Sequence, residues 1–222
     1  MHNFKLNVVR GHLFVKIEED DWLLDTGAPT SFGTSKIGIE GRDFLVTNSY
    51  MGLTAEQLTT FVGHPTVGII GADILNEFDV LIDMKNESVS FSTEQIALDG
   101  EALELDGFMG IPIIIARIGG IERKMFFDTG AQISYFQDDS IKTFPPAGMV
   151  TDFFPGIGQF QTETYRVNIT LGSVPYDLCC GSLPLLLGMT LMMADTEGVI
   201  GNEVLYGRLA GYFPRSHKLV IA

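Results

Sequence analysis

The sequence predicts an all-β protein, mainly β with short helices, assembled from two similar halves. Three observations carry this expectation. Glycine supplies 25 of the 222 residues and punctuates short, regularly spaced apolar runs, the pattern of strands joined by tight turns. The tetrapeptide Asp25-Thr26-Gly27-Ala28 returns as Asp128-Thr129-Gly130-Ala131. A second motif, Gly68-Ile69-Ile70-Gly71-Ala72-Asp73-Ile74-Leu75, returns as Gly198-Val199-Ile200-Gly201-Asn202-Glu203-Val204-Leu205. Two motifs repeated once each, at a period of roughly one hundred residues, indicate duplicated lobes and not the many short units of a solenoid.

Each half opens on a predicted hairpin. His12–Ile17 and Trp22–Leu24 flank the acidic turn Glu18-Glu19-Asp20-Asp21; Pro112–Ile118 and Lys124–Phe127 flank Gly119-Gly120-Ile121-Glu122. The second strand of each hairpin runs into Asp-Thr-Gly-Ala. The match continues without a gap, from Asp25 through Ser31-Phe32 onto Asp128 through Ser134-Tyr135. At average residue usage such a tetrapeptide arises on the order of 10^-5 times per position, so its recurrence is not chance. Thr54-Ala55-Glu56-Gln57 has the pattern of a capping box and predicts a short helix. The segments from Ala72-Asp73 and Asn202-Glu203 predict two more, with acids near the positive helix ends. Phe78–Phe91 and Leu209–Ile221 each read as strand, turn, strand. The domain boundaries follow: an N-terminal lobe over 1–92, a linker over 93–109, and a C-terminal lobe over 110–222. The linker is acidic and carries Asp99-Gly100 and Asp106-Gly107.

Composition bounds the function. The chain is 45% hydrophobic with 16 Phe, enough for a real core, and its net charge of −14 argues against a nucleic-acid partner. No run of 18 apolar residues exists, so no membrane-spanning helix is expected. The densest apolar stretch, Leu183–Ala194, is broken by Pro184, Gly188 and Thr190. Met1–Lys5 lacks the apolar core of a signal peptide. Cys179 and Cys180 are adjacent, a strained geometry for a disulfide, and two free thiols suggest a cytoplasmic location. His2, His12, His64 and His217 are scattered without metal-ligand spacing and read as surface or structural residues. Gly156-Ile157-Gly158 does not complete a dinucleotide fingerprint. Neither metal nor cofactor is expected.

With both motifs present in both halves and in the same order, the chain resembles an aspartic protease of the pepsin/retropepsin clan, in a single-chain, two-lobed form. The resemblance covers Phe14–Phe91 and Ile111–Ile221, and the Asp-Thr-Gly-Ala spelling is closer to retropepsins. It implies two barrel-like lobes about a pseudo-two-fold axis and a hydrolase whose catalytic dyad is Asp25 and Asp128. Two carboxylates that meet there share one proton and activate a water, a pairing for which aspartic proteases are the standard example. Gly27 and Gly130 let the backbone turn tightly beside them. The resemblance further implies that Thr26 and Thr129 lock the lobes together. Gly71 and Gly201 would let a strand pass close behind each catalytic loop. Gly188, after Leu185-Leu186-Leu187, competes with Gly201 for that place, but only Gly201 has an alignable sequence after it. Ala28 and Ala131 cannot hydrogen-bond the carboxylates as Ser or Thr would, which predicts a mildly acidic to near-neutral optimum.

The halves differ between the two motifs. The interval is longer in the second half, where Val150–Leu171 reads as a hairpin turning at Gly156, Ile157 and Gly158. This resembles a retropepsin flap over bound peptide. The first half keeps only Thr47–Gly52, so one dominant flap on the second lobe is expected. Ala72 and Asn202 stand where retropepsins usually place Arg, and Pro29 and Gln132 replace a frequent acid; the bracing of the lobes must differ accordingly. Asp73 and Asp83 read as cap and turn residues. Two functions from different classes follow. One is a monomeric peptidase acting on an extended peptide or protein substrate. The other is a non-catalytic peptide-binding or scaffolding module that keeps the fold.

Overall fold

The computed structural model describes residues 1–155 and 157–222, and for 185–187 the backbone alone. The protein is mostly β. Turn chemistry sets its hairpins. Ile111–Ile118 and Ile121–Phe127 form an antiparallel ladder closed by Gly119 and Gly120, at φ 58° and 84°. Positive φ at both positions matches the right-handed twist of the flanking strands. This turn is tighter than the sequence suggests, because Ile121 and Glu122 already belong to the second strand. His12–Ile17 and Asp20–Leu24 pair likewise, so Asp20 and Asp21 also join a strand.

Each hairpin then gains a parallel neighbour. Asp20–Leu24 lies beside Gly68–Ile70, and Ile121–Phe127 beside Gly198–Ile200. These short strands in turn pair antiparallel with Phe32–Gly33 and Ser134–Phe136. In both halves the Asp-Thr-Gly loop therefore connects two strands that flank a common third one.

Among the described residues two large sheets result, of ten and eight strands. The eight-stranded sheet runs from Asp106–Phe108 to Pro146–Phe154. The ten-stranded sheet does not stop at the first half. Leu209–Phe213 pairs with Asp79–Asp83, and Lys218–Ile221 pairs with Glu101–Glu104. The expectation of a separate sheet in each half changes here. The two strand–turn–strand segments present complementary edges, and pairing them removes two open edges at once. Segment 93–109 is also more ordered than a plain linker. It carries the strands Glu101–Glu104 and Asp106–Phe108, and the turn falls at Met109-Gly110 and not at Asp106-Gly107. The core is continuous across it: Leu24, Phe78 and Phe91 belong to the same buried cluster as Phe127, Phe136 and Tyr212.

Helix α1 (Ala55–Val62) starts at the expected capping box, with Thr54 and Gln57 each bonding the other's backbone, and ends on Gly63 at φ 64°. Helix α2 (Ala72–Leu75) and a 3-10 turn over Asn202–Leu205 occupy the two other expected places. Helix α3 (Leu185–Met193) falls on the apolar stretch that the sequence marked only as too broken to span a membrane. No helix among the described residues is long and apolar enough to cross a membrane.

Candidate functional site

Asp25 and Asp128 come from loops in opposite halves and meet at the centre of the molecule. Asp25 is anchored by its amide on Ile70 O (3.0 Å), Asp128 by its amide on Ile200 O (2.9 Å). Asp25 Oδ1 accepts the amide of Ala28 at 2.8 Å; Asp128 Oδ1 accepts those of Gly130 at 2.8 Å and Ala131 at 3.2 Å. The two carboxyl groups lie close enough to perturb each other's charge. Gly27 passes directly against the Asp128 carboxylate and Gly130 against that of Asp25, so that a Cβ at either position would overlap the opposite acid. The glycines are required by close approach as well as by turn geometry.

The threonines bind the loops to each other. Thr26 Oγ1 donates to Phe127 O at 2.7 Å and accepts the Thr129 amide at 3.0 Å. Thr129 Oγ1 donates to Leu24 O at 2.8 Å and accepts the Thr26 amide at 3.0 Å. Both side chains are buried. Behind the loops, Ala72 and Asn202 donate their amides to Ala28 O (2.8 Å) and Ala131 O (2.9 Å). Ser31 and Ser134, matched in the repeat but given no role by it, accept the amides of Gly71 (2.8 Å) and Gly201 (3.1 Å).

A Cβ on Gly71 would lie 2.6 Å from Ala28 O, and one on Gly201 2.8 Å from Ala131 O. Gly188 faces Gln137 instead, far from this role. Because the obstacles at Gly71 and Gly201 are backbone carbonyls, Gly71→Ala or Gly201→Ala is expected to cost about 1–3 kcal/mol, the usual penalty of overpacking. Urea denaturation checks this; a cost under about 0.5 kcal/mol, the scatter of a neutral surface substitution, would mean the loops shift freely.

Polar side chains brace the two halves. Asn202 Nδ2 donates to Gly11 O (2.8 Å) and Thr129 O (3.0 Å), joining the second Asp-Thr-Gly loop to a turn of the first half. Arg215 donates to the buried Asp79 at 2.8 Å, tying the last strands to the first half. Asp73 lies inside α2, whose N-cap is Gly71, so it is not a cap residue; its Oδ1 accepts the Ile74 amide at 3.0 Å and Ser31 Oγ at 2.6 Å, while Asp83 closes its turn on Lys85 and Asn86.

A cavity of about 520 Å³ opens over the dyad. Its roof is the hairpin of Pro146–Phe154 and Gly158–Leu171, with Phe154 opposite Gly158. Ile157 lies in the turn with its amide on Phe154 O at 3.1 Å; Gly156 lies outside the described residues. The corresponding hairpin of the first half, Ser49–Tyr50 with Leu53–Thr54, has two residues per arm, as the shorter interval suggests. The long hairpin reaches across to the first half: Phe153 packs on Phe61 of α1, ring centroids 5.7 Å apart. Gln132 Nε2 ties it to the second Asp-Thr-Gly loop through Thr151 O at 2.9 Å.

Sequence reasoning missed three neighbours of the dyad. His12, expected at the surface or in a structural place, is buried with Nδ1 3.3 Å from Gly130 O. Tyr135 donates its hydroxyl to Asp152 at 2.5 Å, and Asp152 lines the cavity beside Asp128. A signal for Asp152 existed: it is the one acid beside Phe153-Phe154 on a strand about to turn. Burial, above all, raises the carboxyl pKa of both aspartates. For Asp25, lifted well above the ordinary range, the charge of Asp128 adds to burial. For Asp128, the proximity of Asp25 and the amides of Gly130 and Ala131 oppose it.

No protein-family model matches this chain, and no curated protein matches it.

Proposed function

We propose that the chain is an aspartic-type endopeptidase whose dyad is Asp25 and Asp128. One observation carries the reading: two half-buried carboxyl groups, each packed against the glycine of the opposite Asp-Thr-Gly-Ala loop, in a cavity also lined by a long hairpin. The matched pairs of bonds made by Thr26 and Thr129, and by Gly71 and Gly201, support duplicated pepsin/retropepsin-like lobes about a pseudo-two-fold axis. The long hairpin serves as the flap. Two free cysteines fit a cytoplasmic enzyme. The second lobe supplies covalently what a homodimer would otherwise bring, so the enzyme works as a monomer.

The two carboxyls act as one unit: both are raised chiefly by burial, and they hold one proton between them. The ionised member takes a proton from water as the oxygen attacks the scissile carbonyl carbon. The protonated member gives its proton to the carbonyl oxygen. The resulting gem-diol collapses as a proton reaches the nitrogen and the C–N bond breaks. Both carboxyls are raised, so the rate is expected to peak in mildly acidic to near-neutral solution, above the ordinary aspartate pKa of about 4. A pH–rate profile with its maximum only below that value would overturn this assignment. The function itself is tested by cleavage of a mixed peptide library by the wild-type chain and by Asp25→Asn.

A further inference from the structure

We propose that Asp152 makes this cleft select a peptide bearing a lysine or arginine side chain, seated between its carboxylate and the rings of Tyr135 and Phe160. The inference rests on the reading of the cavity as a peptide cleft. Asp152 is only 7% exposed, yet it lines the cavity, and its hydrogen bonds leave it unsaturated. Oδ2 accepts Tyr135 Oη, Oδ1 accepts the Phe153 amide at 2.8 Å, and the Gln132 side chain stands close by. A carboxylate offers about four acceptor positions. No lysine or arginine is among the described residues lining the cavity; its charged side chains are Asp25, Asp128 and Asp152. His12, the nearest base, is kept largely neutral by burial and spends Nδ1 on Gly130 O.

The surroundings favour a cation with an apolar stem. Tyr135 and Phe160 pack with ring centroids 6.0 Å apart, and Phe160 lies opposite Asp152 in the hairpin. Aromatic faces attract guanidinium and ammonium groups, while the methylenes of such side chains lie against apolar walls. Burial raises the Asp152 carboxyl, and an incoming cation restores its ionised form. The remaining walls are apolar and include Met51, Met109 and Met189, adaptable side chains suited to varied bulky residues.

The test is peptide binding to the Asp25→Asn chain, read by fluorescence anisotropy. Labelled apolar octapeptides carry lysine, arginine or norleucine at each position in turn. At one position the basic peptides should bind about tenfold tighter than the norleucine peptide, a difference of about 1.4 kcal/mol. In Asp25→Asn/Asp152→Asn, whose amide oxygen still accepts Tyr135 Oη, that ratio should fall to about one. Equal affinities, or a ratio that survives Asp152→Asn, overturn the proposal. The lysine–norleucine comparison decides it even if the double variant does not fold. Wild-type cleavage is measured in parallel: none, or cleavage that persists in Asp25→Asn, overturns the peptidase reading and leaves the binding result to decide this one. No binding by any peptide overturns this proposal, and the peptidase reading then stands or falls on wild-type cleavage alone.

Discussion

Replacing Asp25 or Asp128 by asparagine is expected to lower peptide cleavage at least ~10³-fold, because each change removes one partner of a coupled acid–base pair whose members typically contribute 10²–10⁴ apiece. The fold should survive and gain stability at neutral pH. Both carboxyls are raised in the folded chain, chiefly by burial. Between the unfolded aspartate pKa, about 4, and those raised values, the folded chain holds more protons than the unfolded one. Stability therefore falls as pH rises through that window. An asparagine side chain does not ionise, so Asp25→Asn should melt a few degrees above wild type at pH 7, on the order of 1 kcal/mol for a chain of this size, with the gap closing toward pH 4. Cleavage assays beside thermal melts at both pH values check both halves. A variant that loses activity by unfolding, or one that keeps full activity, would remove the dyad from the mechanism.

The largest stability effect is expected at the threonine interlock. Thr26→Val keeps the shape but deletes the hydroxyl that serves Phe127 O and the Thr129 amide. Two buried backbone groups then lose their partners, at about 1–3 kcal/mol each. A loss of roughly 2–4 kcal/mol is expected for Thr26→Val, and a similar one for Thr129→Val, with Thr26→Ser close to wild type. The double variant should cost less than the sum, since the two hydroxyls belong to one network. Urea denaturation of the four variants measures this. Cleavage should fall with stability, because the same bonds hold the two Asp-Thr-Gly loops in register. A Thr26→Val chain within about 0.5 kcal/mol of wild type would show that the halves are held together elsewhere.

Much of the site was legible because its chemistry is local. Gly27 and Gly130 had to be glycine wherever a backbone turns tightly against a carboxylate, and that need is written into four consecutive letters. The α1 capping box is local too, spanning Thr54 to Gln57. The short first-half hairpin and the long second-half one followed from unequal spacing between the same two motifs. What failed was long-range. The apolar run at α3 offered no period to read, and its glycine and threonine did not stop a helix from forming. His12 and Asp152 stand far apart in the chain and gain their meaning only from the neighbourhood of the dyad that they share.

Local order in the chain was enough to yield a mostly β protein, the repeated pair of loops, the residues that must be small within them, and the half that carries the long hairpin. Each is a consequence of backbone conformation or of spacing, which neighbouring residues dictate. Three-dimensional packing was needed to reveal that the last strands cross to the first half, that Asn202 and Arg215 brace the two halves, and that Asp152 with its aromatic collar faces the dyad. Strand edges and buried polar groups choose partners by geometry in space. A pairing such as Asp79–Asp83 with Leu209–Phe213 leaves no mark on either segment that would reveal it before the chain has folded.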